Sequence, residues 1–132
     1  MIRSLPMVQG PPPPEAPRLK RLSLPQGELA HFYDGPEGLQ YVAFAELKPG
    51  TVRGNHYHMA KAEGIYLLEG EIRLTVEDIE TKARESALLK AGSVVSIPVR
   101  IAHTMQPLCP GKAIEFSTAR FDPADVCRYP LI

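Results

Sequence analysis

Three of the four histidines in this sequence, together with one glutamate, are spaced in a way that suits a metal ion. His56 and His58 lie two residues apart in a segment predicted to be extended, where residues i and i+2 point to the same side. Glu63 follows after four residues, so a short turn can bring it back alongside them, and His103 comes forty residues later. We call His56, His58, Glu63 and His103 the ligand cluster. Imidazoles and a carboxylate suit first-row divalent metals, so we expect the cluster to bind one ion of Fe, Mn, Ni, Co or Zn.

The segments that must position these side chains have the pattern of short strands. Ile72, Leu74 and Val76 alternate with polar residues, which is the period of a strand with one exposed face. No long window keeps helical periodicity. The predicted strands are 40–47, 65–69, 71–76, 86–89, 94–97 and 112–117, and Gly70 is predicted to turn a hairpin between two of them. Many short strands predict an all-β sandwich or closed barrel, and closure removes exposed strand edges.

Prolines concentrate in the first 25 residues, which hold half of the 14 prolines and include the run 11–14. Such a run favours polyproline II and excludes a helix or a central strand. We expect residues 1–25 to form a stiff proline-rich arm that lies on its own domain or on a partner subunit; a ligand for a proline-binding domain is the alternative. Residues 26–132 are expected to form one folded domain.

Longer spacings in the sequence resemble the two signature motifs of the cupin superfamily. The first is Gly50-x5-His56-x-His58-x4-Glu63-x6-Gly70, and the second is Gly92-x5-Pro98-x4-His103. The second motif departs from the family pattern at Arg100, where glycine is usual, and at Pro107, where asparagine is usual. The resemblance implies an all-β, single-domain cupin β-barrel of the jelly-roll type. It also implies that the ligand cluster holds the metal, because its members occupy the family's ligand positions.

A shorter string, Arg53-Gly54-Asn55-His56-Tyr57-His58, resembles cupins of bacterial nucleotide-sugar and surface-polysaccharide biosynthesis. Arg53 lies three residues before a candidate ligand and is therefore a candidate substrate-binding residue. A guanidinium there would suit a carboxylate or phosphate, and an exposed salt bridge is the alternative interpretation. His31 matches no ligand spacing and is interpreted as an ordinary surface or core residue.

Composition excludes several classes of partner. Fifteen basic and fifteen acidic residues cancel, which does not favour a nucleic acid or a membrane surface as partner. No apolar stretch approaches the roughly 20 residues that span a bilayer.

The N-terminus lacks the apolar core of a signal peptide, and Cys109 and Cys127 match no CxxC spacing, so we expect a cytoplasmic protein with reduced thiols. The expected partners are a small-molecule substrate and a second subunit in a homodimer.

Three functions are compatible with these residues. The first is a metal-dependent enzyme acting on a small polar molecule, of the sugar-nucleotide isomerase or epimerase type. The alternatives are an Fe(II)-dependent dioxygenase and a non-catalytic module that binds or senses a small ligand. The catalytic base stays unknown. Tyr57 is expected to point away from the histidines, Glu69 lies at a turn, and Tyr66 is out of phase with Glu63.

Overall fold

The computed structural model describes residues 1–132, and nearly all of its regular structure is β-strand. The strands, in chain order, are β1 (Ile2–Ser4), β2 (Met7–Gln9), β3 (Lys20–Leu24), β4 (Gly27–His31), β5 (Tyr41–Leu47), β6 (Arg53–Tyr57), β7 (Glu63–Glu69), β8 (Glu71–Asp78), β9 (Arg84–Lys90), β10 (Ser93–Ile97), β11 (Ile101–Pro107), β12 (Gly111–Ser117) and β13 (Cys127–Arg128). A single 3₁₀ turn, Pro123–Asp125, precedes the last strand. The structure contains no helix with the length and apolar character needed to cross a membrane.

The strands form two five-stranded sheets and one small sheet. The first sheet has the order β1-β10-β7-β12-β5, the second has the order β13-β6-β11-β8-β9, and the small sheet is β2-β3-β4. This confirms the expected all-β cupin architecture. No strand of the first sheet pairs with the second, so the two sheets form a jelly-roll sandwich rather than a continuously closed barrel.

The main core lies between the two five-stranded sheets. Alternate residues of β7 (Ile65 and Leu67) and of β8 (Ile72 and Leu74) are at most 1% exposed and belong to one cluster of 11 buried residues. The period of two in each strand therefore directs one face of each sheet into the same apolar layer. The ligand cluster spans this sandwich, because Glu63 lies on β7 of the first sheet and His56 and His103 lie on β6 and β11 of the second.

The predicted hairpin around Gly70 is wrong. β7 pairs with β10 and β12, whereas β8 pairs with β11 and β9, so the chain passes from one sheet to the other at Gly70. Only this residue separates the two strands, and a hairpin needs a loop of about two residues or more. Gly70 has a φ of 99°, and a Cβ there would lie 3.0 Å from the Gly111 Cα, so the crossing requires glycine.

The proline-rich segment contributes strands to the fold. β1 pairs with β10 at the edge of the first sheet, and Leu5 is only 6% exposed. β3 pairs with β4 across the expected boundary at residue 25, and the proline run lies in the loop that precedes β3. Residues 1–25 therefore lie on their own domain, but as paired strands rather than as a stiff arm. The division into residues 1–25 and 26–132 as units stays a prediction.

Arg100 adopts the backbone conformation that explains the usual glycine at its position. Its φ is 64°, in the left-handed region where side chains are disfavoured. Its guanidinium pairs with Glu80 at 2.7 Å, and its backbone N–H donates to the His58 carbonyl at 2.8 Å. The departure from the motif therefore leaves the turn before β11 in the conformation that a glycine would adopt.

Candidate metal centre

The structure brings the four members of the ligand cluster together inside the sandwich. His56 lies on β6, His58 directly follows it, Glu63 begins β7 and His103 lies on β11. One ligand atom from each of the four lies within 4.8 Å of the corresponding atom of every other member. Three of the members are buried, and His56 is half-buried. Such convergence of nitrogen and oxygen donors from three strands is what a metal ion requires.

A bulge in β6 sets His56 opposite His103. The register pairs His56 with His103 and Gly54 with Thr104, so Asn55 is an additional residue on β6. Gly54 has a φ of 98° and Asn55 a φ of 57°, conformations that favour glycine and tolerate asparagine. The Asn55 Oδ1 accepts a hydrogen bond from the Thr104 hydroxyl at 2.6 Å, which ties the bulge to β11.

Hydrogen bonds orient two of the imidazoles for metal binding. The His58 Nδ1 lies 3.1 Å from the Asp125 carbonyl oxygen, and the His103 Nδ1 lies 3.2 Å from the Ile101 carbonyl oxygen. A carbonyl only accepts, so each Nδ1 carries a proton, and the neutral His58 ring keeps the lone pair on its Nε2. The His58 Nε2 is buried and has no hydrogen-bond partner. An unpaired buried acceptor facing other donors fits a metal-binding role.

Glu63 is the charged member of the ligand cluster. Its carboxylate lies 3.0 Å from the His103 Nε2 and 3.3 Å from the Lys61 Nζ. Burial alone would raise the pKa of Glu63, but the hydrogen bond from His103 and the positive charges of His103 and Lys61 outweigh it and lower the pKa to about 2. Glu63 is therefore a carboxylate at neutral pH, as a metal ligand must be.

Desolvation keeps two of the histidines neutral. Burial, followed by the neighbouring His103 and His58, lowers the pKa of His56 to about 4. Burial also lowers the pKa of His58. Both imidazoles therefore hold free lone pairs at neutral pH, which is the protonation state that binds metal.

A cavity of about 140 Å³ opens beside the ligand cluster. Arg53 is exposed and lines this cavity, which places its guanidinium at the mouth. It forms no ion pair, and its Nη2 donates to the Glu46 carbonyl at 3.1 Å. A role for Arg53 in binding substrate stays a prediction.

Three further polar residues of this cavity were missed by sequence reasoning: Tyr41, Lys61 and Glu115. The Lys61 Nζ lies 4.3 Å from the centre of the Tyr41 ring, and Lys61 is only 4% exposed. Burial and the charge of Glu63 raise the pKa of Glu115. Glu115 alternates in phase with buried Ala113 along β12, and an acidic residue in the apolar phase of a strand is the signal that could have found it.

The three residues that the sequence analysis considered and set aside lie outside this cavity. Tyr57 packs against Tyr129 with ring centres 5.9 Å apart, and Tyr66 stacks on Phe32 at 4.7 Å. Glu69 is exposed and lies 3.9 Å from Lys112. None of them can act as a base on a molecule bound at the ligand cluster.

A larger cavity, of about 520 Å³, lies on the other side of the first sheet. Its wall is largely apolar and includes the rings of Phe32, Tyr33 and Phe116. The ligand cluster contributes only Glu63 to it. The chemistry-bearing groups therefore gather around the smaller cavity.

Comparison with known proteins agrees with this architecture. A family model described as "Cupin domain" matches residues 43–112, which contain the whole ligand cluster. No curated protein sequence matches the chain.

Solved structures that resemble the chain share its fold at low identity. The capsular polysaccharide assembling protein CapF from Staphylococcus aureus is 24% identical with a TM-score of 0.63, and the match covers 70% of this chain but 27% of CapF. The dTDP-6-deoxy-D-glucose-3,5-epimerase RmlC from Legionella pneumophila is 16% identical with a TM-score of 0.70, over 83% of this chain and 68% of that protein. A 3,4-ketoisomerase from Helicobacter canadensis is 14% identical with a TM-score of 0.73, over 84% of this chain and 86% of that protein.

The family model covers just over half of the 132 residues, and the structure has the all-β fold and the convergence of the ligand cluster that the resemblance implies. This chain therefore belongs to the cupin domain family.

Proposed function

We propose that the protein binds one divalent transition-metal ion through the ligand cluster and acts with it on a small polar molecule. The observation that carries this proposal is the buried, unpartnered His58 Nε2, which faces three other donors within 4.8 Å. A donor set of three imidazoles and one carboxylate suits Fe, Mn, Ni, Co or Zn.

The residues around the ligand cluster supply groups that would bind a substrate and transfer a proton. When bound, the ion would supply Lewis-acid polarisation of a substrate oxygen. Arg53 at the mouth binds an anionic oxygen, and Lys61 offers an N–H donor to a substrate oxygen inside the cavity. Glu115 holds or releases the proton at its carboxylate, since its raised pKa brings it nearer the range in which a general acid or base works.

The substrate class we propose is a sugar nucleotide, with isomerisation or epimerisation of its sugar as the reaction. Two of the similar structures are a dTDP-sugar 3,5-epimerase and a 3,4-ketoisomerase. The cavity of about 140 Å³ is smaller than the usual range of about 300–1,000 Å³ for pockets that enclose a whole ligand. Only the sugar would therefore enter, and the diphosphate would remain outside, near Arg53.

Metal uptake tests the first part of this proposal. Protein purified without chelator and offered Fe, Mn, Ni, Co and Zn should hold about one ion per chain by elemental analysis. His58→Ala and His103→Ala should lose most of it. His31→Ala is the matched control, because His31 lies on β4 in the small sheet and should keep the wild-type content. Absence of metal from the wild-type protein, or an equal loss in the control, would contradict the proposal.

Calorimetric titration tests the substrate class. Nucleotide sugars should bind, and Arg53→Ala should weaken binding by about 1.5–3 kcal/mol, the value of a charge-assisted hydrogen bond. The control is Arg73→Ala, which removes an exposed arginine on β8. Binding restricted to phenols or small carboxylic acids would instead favour the Fe(II)-dependent dioxygenase, and binding of a small ligand without turnover would favour the sensor module.

A further inference from the structure

The segment that follows β12 folds back across the ligand cluster. Within it, β13 pairs with β6 so that Arg128 lies opposite His56 and Cys127 lies opposite Tyr57. The Asn55 Oδ1 accepts a hydrogen bond from the Leu131 N–H at 2.9 Å. All of these tail residues lie beyond residue 112, where the match to the cupin model ends. Their contacts to the ligand cluster are therefore not part of the region that the family model describes.

Asp125 connects this tail to the loop between His58 and Glu63. Its carboxylate accepts hydrogen bonds from three successive backbone N–H groups: Met59 at 2.8 Å, Ala60 at 3.1 and 3.2 Å, and Lys61 at 3.2 Å. Successive N–H groups that converge on one anion hold a short loop in a defined shape. The loop held in this way connects His58 to Glu63 and carries Lys61, whose Nζ lies 3.3 Å from the Glu63 carboxylate.

The backbone of Asp125 contacts His58, at the start of the same loop. Its carbonyl oxygen accepts the proton of the His58 Nδ1 at 3.1 Å. The side chain thus fixes the loop relative to Asp125, and the carbonyl of the same residue selects the tautomer in which the His58 Nε2 is free. That Nε2 is one of two buried side-chain atoms without a hydrogen-bond partner; the other, the His31 Nε2, lies on β4 in the small sheet.

We propose that Asp125 is a positioning residue for metal binding, which holds the loop after β6 so that the His58 Nε2 presents its lone pair to the ion. This inference rests on the proposed metal-binding function. Outer-sphere partners of metal-ligating histidines typically change metal affinity by about 10–100-fold when removed. Asp125 supplies this support through its side chain and its backbone together, so loss of the carboxylate also displaces the carbonyl from His58.

The tautomer of His58 tests this inference without any metal. In the metal-free wild-type protein, ¹⁵N–¹H correlation spectra of the imidazole should show the proton on Nδ1. In Asp125→Ala, the spectra should show a mixture of tautomers, and in the control Asp34→Ala they should match the wild type. A folded Asp125→Ala protein that keeps the wild-type spectrum would overturn the inference. Because this measurement uses the metal-free protein, its failure is distinct from a failure to bind metal.

Zn²⁺ alone provides the second readout, by competition with a chromophoric chelator. Asp125→Ala should bind Zn²⁺ about 10–100-fold more weakly than the wild type, and Asp34→Ala should bind it equally well. Asp125→Asn keeps one of the two carboxylate oxygens, so its affinity should fall between them. If the alanine variant does not fold, the asparagine variant decides by the same two measurements. A Zn²⁺ affinity within about twofold of the wild type in the folded variant would also overturn the inference.

Discussion

At the scale of single residues, burial and neighbouring charges set the protonation states of the ligand cluster. His56 and His58 lie among other donors with little access to water, and burial disfavours their protonated forms. Glu63 keeps its charge only because His103 and Lys61 lie within 3.3 Å of it. The environment therefore favours the neutral form of these two imidazoles and the ionised form of Glu63, which is the combination that a divalent cation binds.

Because burial disfavours the protonated form of His56, we expect the metal-free protein to lose stability when the pH falls from about 7 to about 5. The pKa of His56 is about 4 in the folded state against 6.5 for an ordinary histidine side chain, so the unfolded chain binds more protons between these values. The free energy of unfolding should fall by about 1–2 kcal/mol through His56 in this window. Glu63, with a pKa of about 2 against 4.5, stabilises the fold above pH 4.5 and loses its effect only at lower pH.

Urea unfolding of the chelator-treated protein at the two pH values measures this loss. His56→Gln removes the titrating group while keeping a polar side chain of comparable size, so its stability should change less with pH than that of the wild type. If the wild type and His56→Gln showed the same pH dependence, His56 would not be the desolvated group described here.

At the scale of elements, the bulge in β6 links the fold to the ligand cluster. Gly54 approaches the backbone of β11 so closely that a Cβ would lie 2.5 Å from the His103 carbonyl oxygen. Its φ of 98° is also a conformation that an L side chain rarely adopts. The position of His103 opposite His56 therefore depends on the absence of a side chain at residue 54.

Gly54→Ala should accordingly destabilise the protein by about 1–3 kcal/mol and weaken metal binding as well. The added methyl group would push β11 away from β6 and separate His56 from His103. Gly38→Ala is the matched control, since a Cβ there meets nothing within 4 Å. Thermal unfolding and Zn²⁺ titration of both variants check the prediction, which fails if Gly54→Ala behaves like Gly38→Ala.

At the scale of the whole molecule, the two faces of the first sheet are buried by different parts of the chain. Its inner face packs on the second sheet and carries Glu63. Its outer face carries a second apolar cluster of Leu5, Tyr66, Val94 and Phe116, covered by the N-terminal segment. The contacts of the N-terminal segment and the ligand cluster therefore lie on opposite faces of the first sheet.

Leu5→Ala should thus reduce the free energy of unfolding by about 2–4 kcal/mol, as expected for a leucine buried to 6% exposure, without changing the metal content. Leu29→Ala on β4 is the control, because Leu29 is 51% exposed and should lose less than about 1 kcal/mol. Chemical unfolding and elemental analysis of each variant provide the comparison. A negligible effect of Leu5→Ala would mean that the segment does not dock on the domain in solution.

The sequence by itself determined the features that depend on local spacing. The period of two identified most strands, and the intervals around His56, His58, Glu63 and His103 identified both the family and the residues that meet in the sandwich. These features are accessible because a strand places alternate residues on one face whatever its partner. The expected homodimer and cytoplasmic location stay predictions.

Only the tertiary structure decided which strands pair and which distant residues reach the ligand cluster. Gly70 joins two sheets instead of a hairpin, and the N-terminal segment contributes paired strands and covers an apolar face. Glu115 and Asp125 reach the site from positions more than fifty residues after Glu63 in the chain. Such contacts follow from burial of apolar surface between sheets, a property of the assembled fold that no interval along the chain encodes.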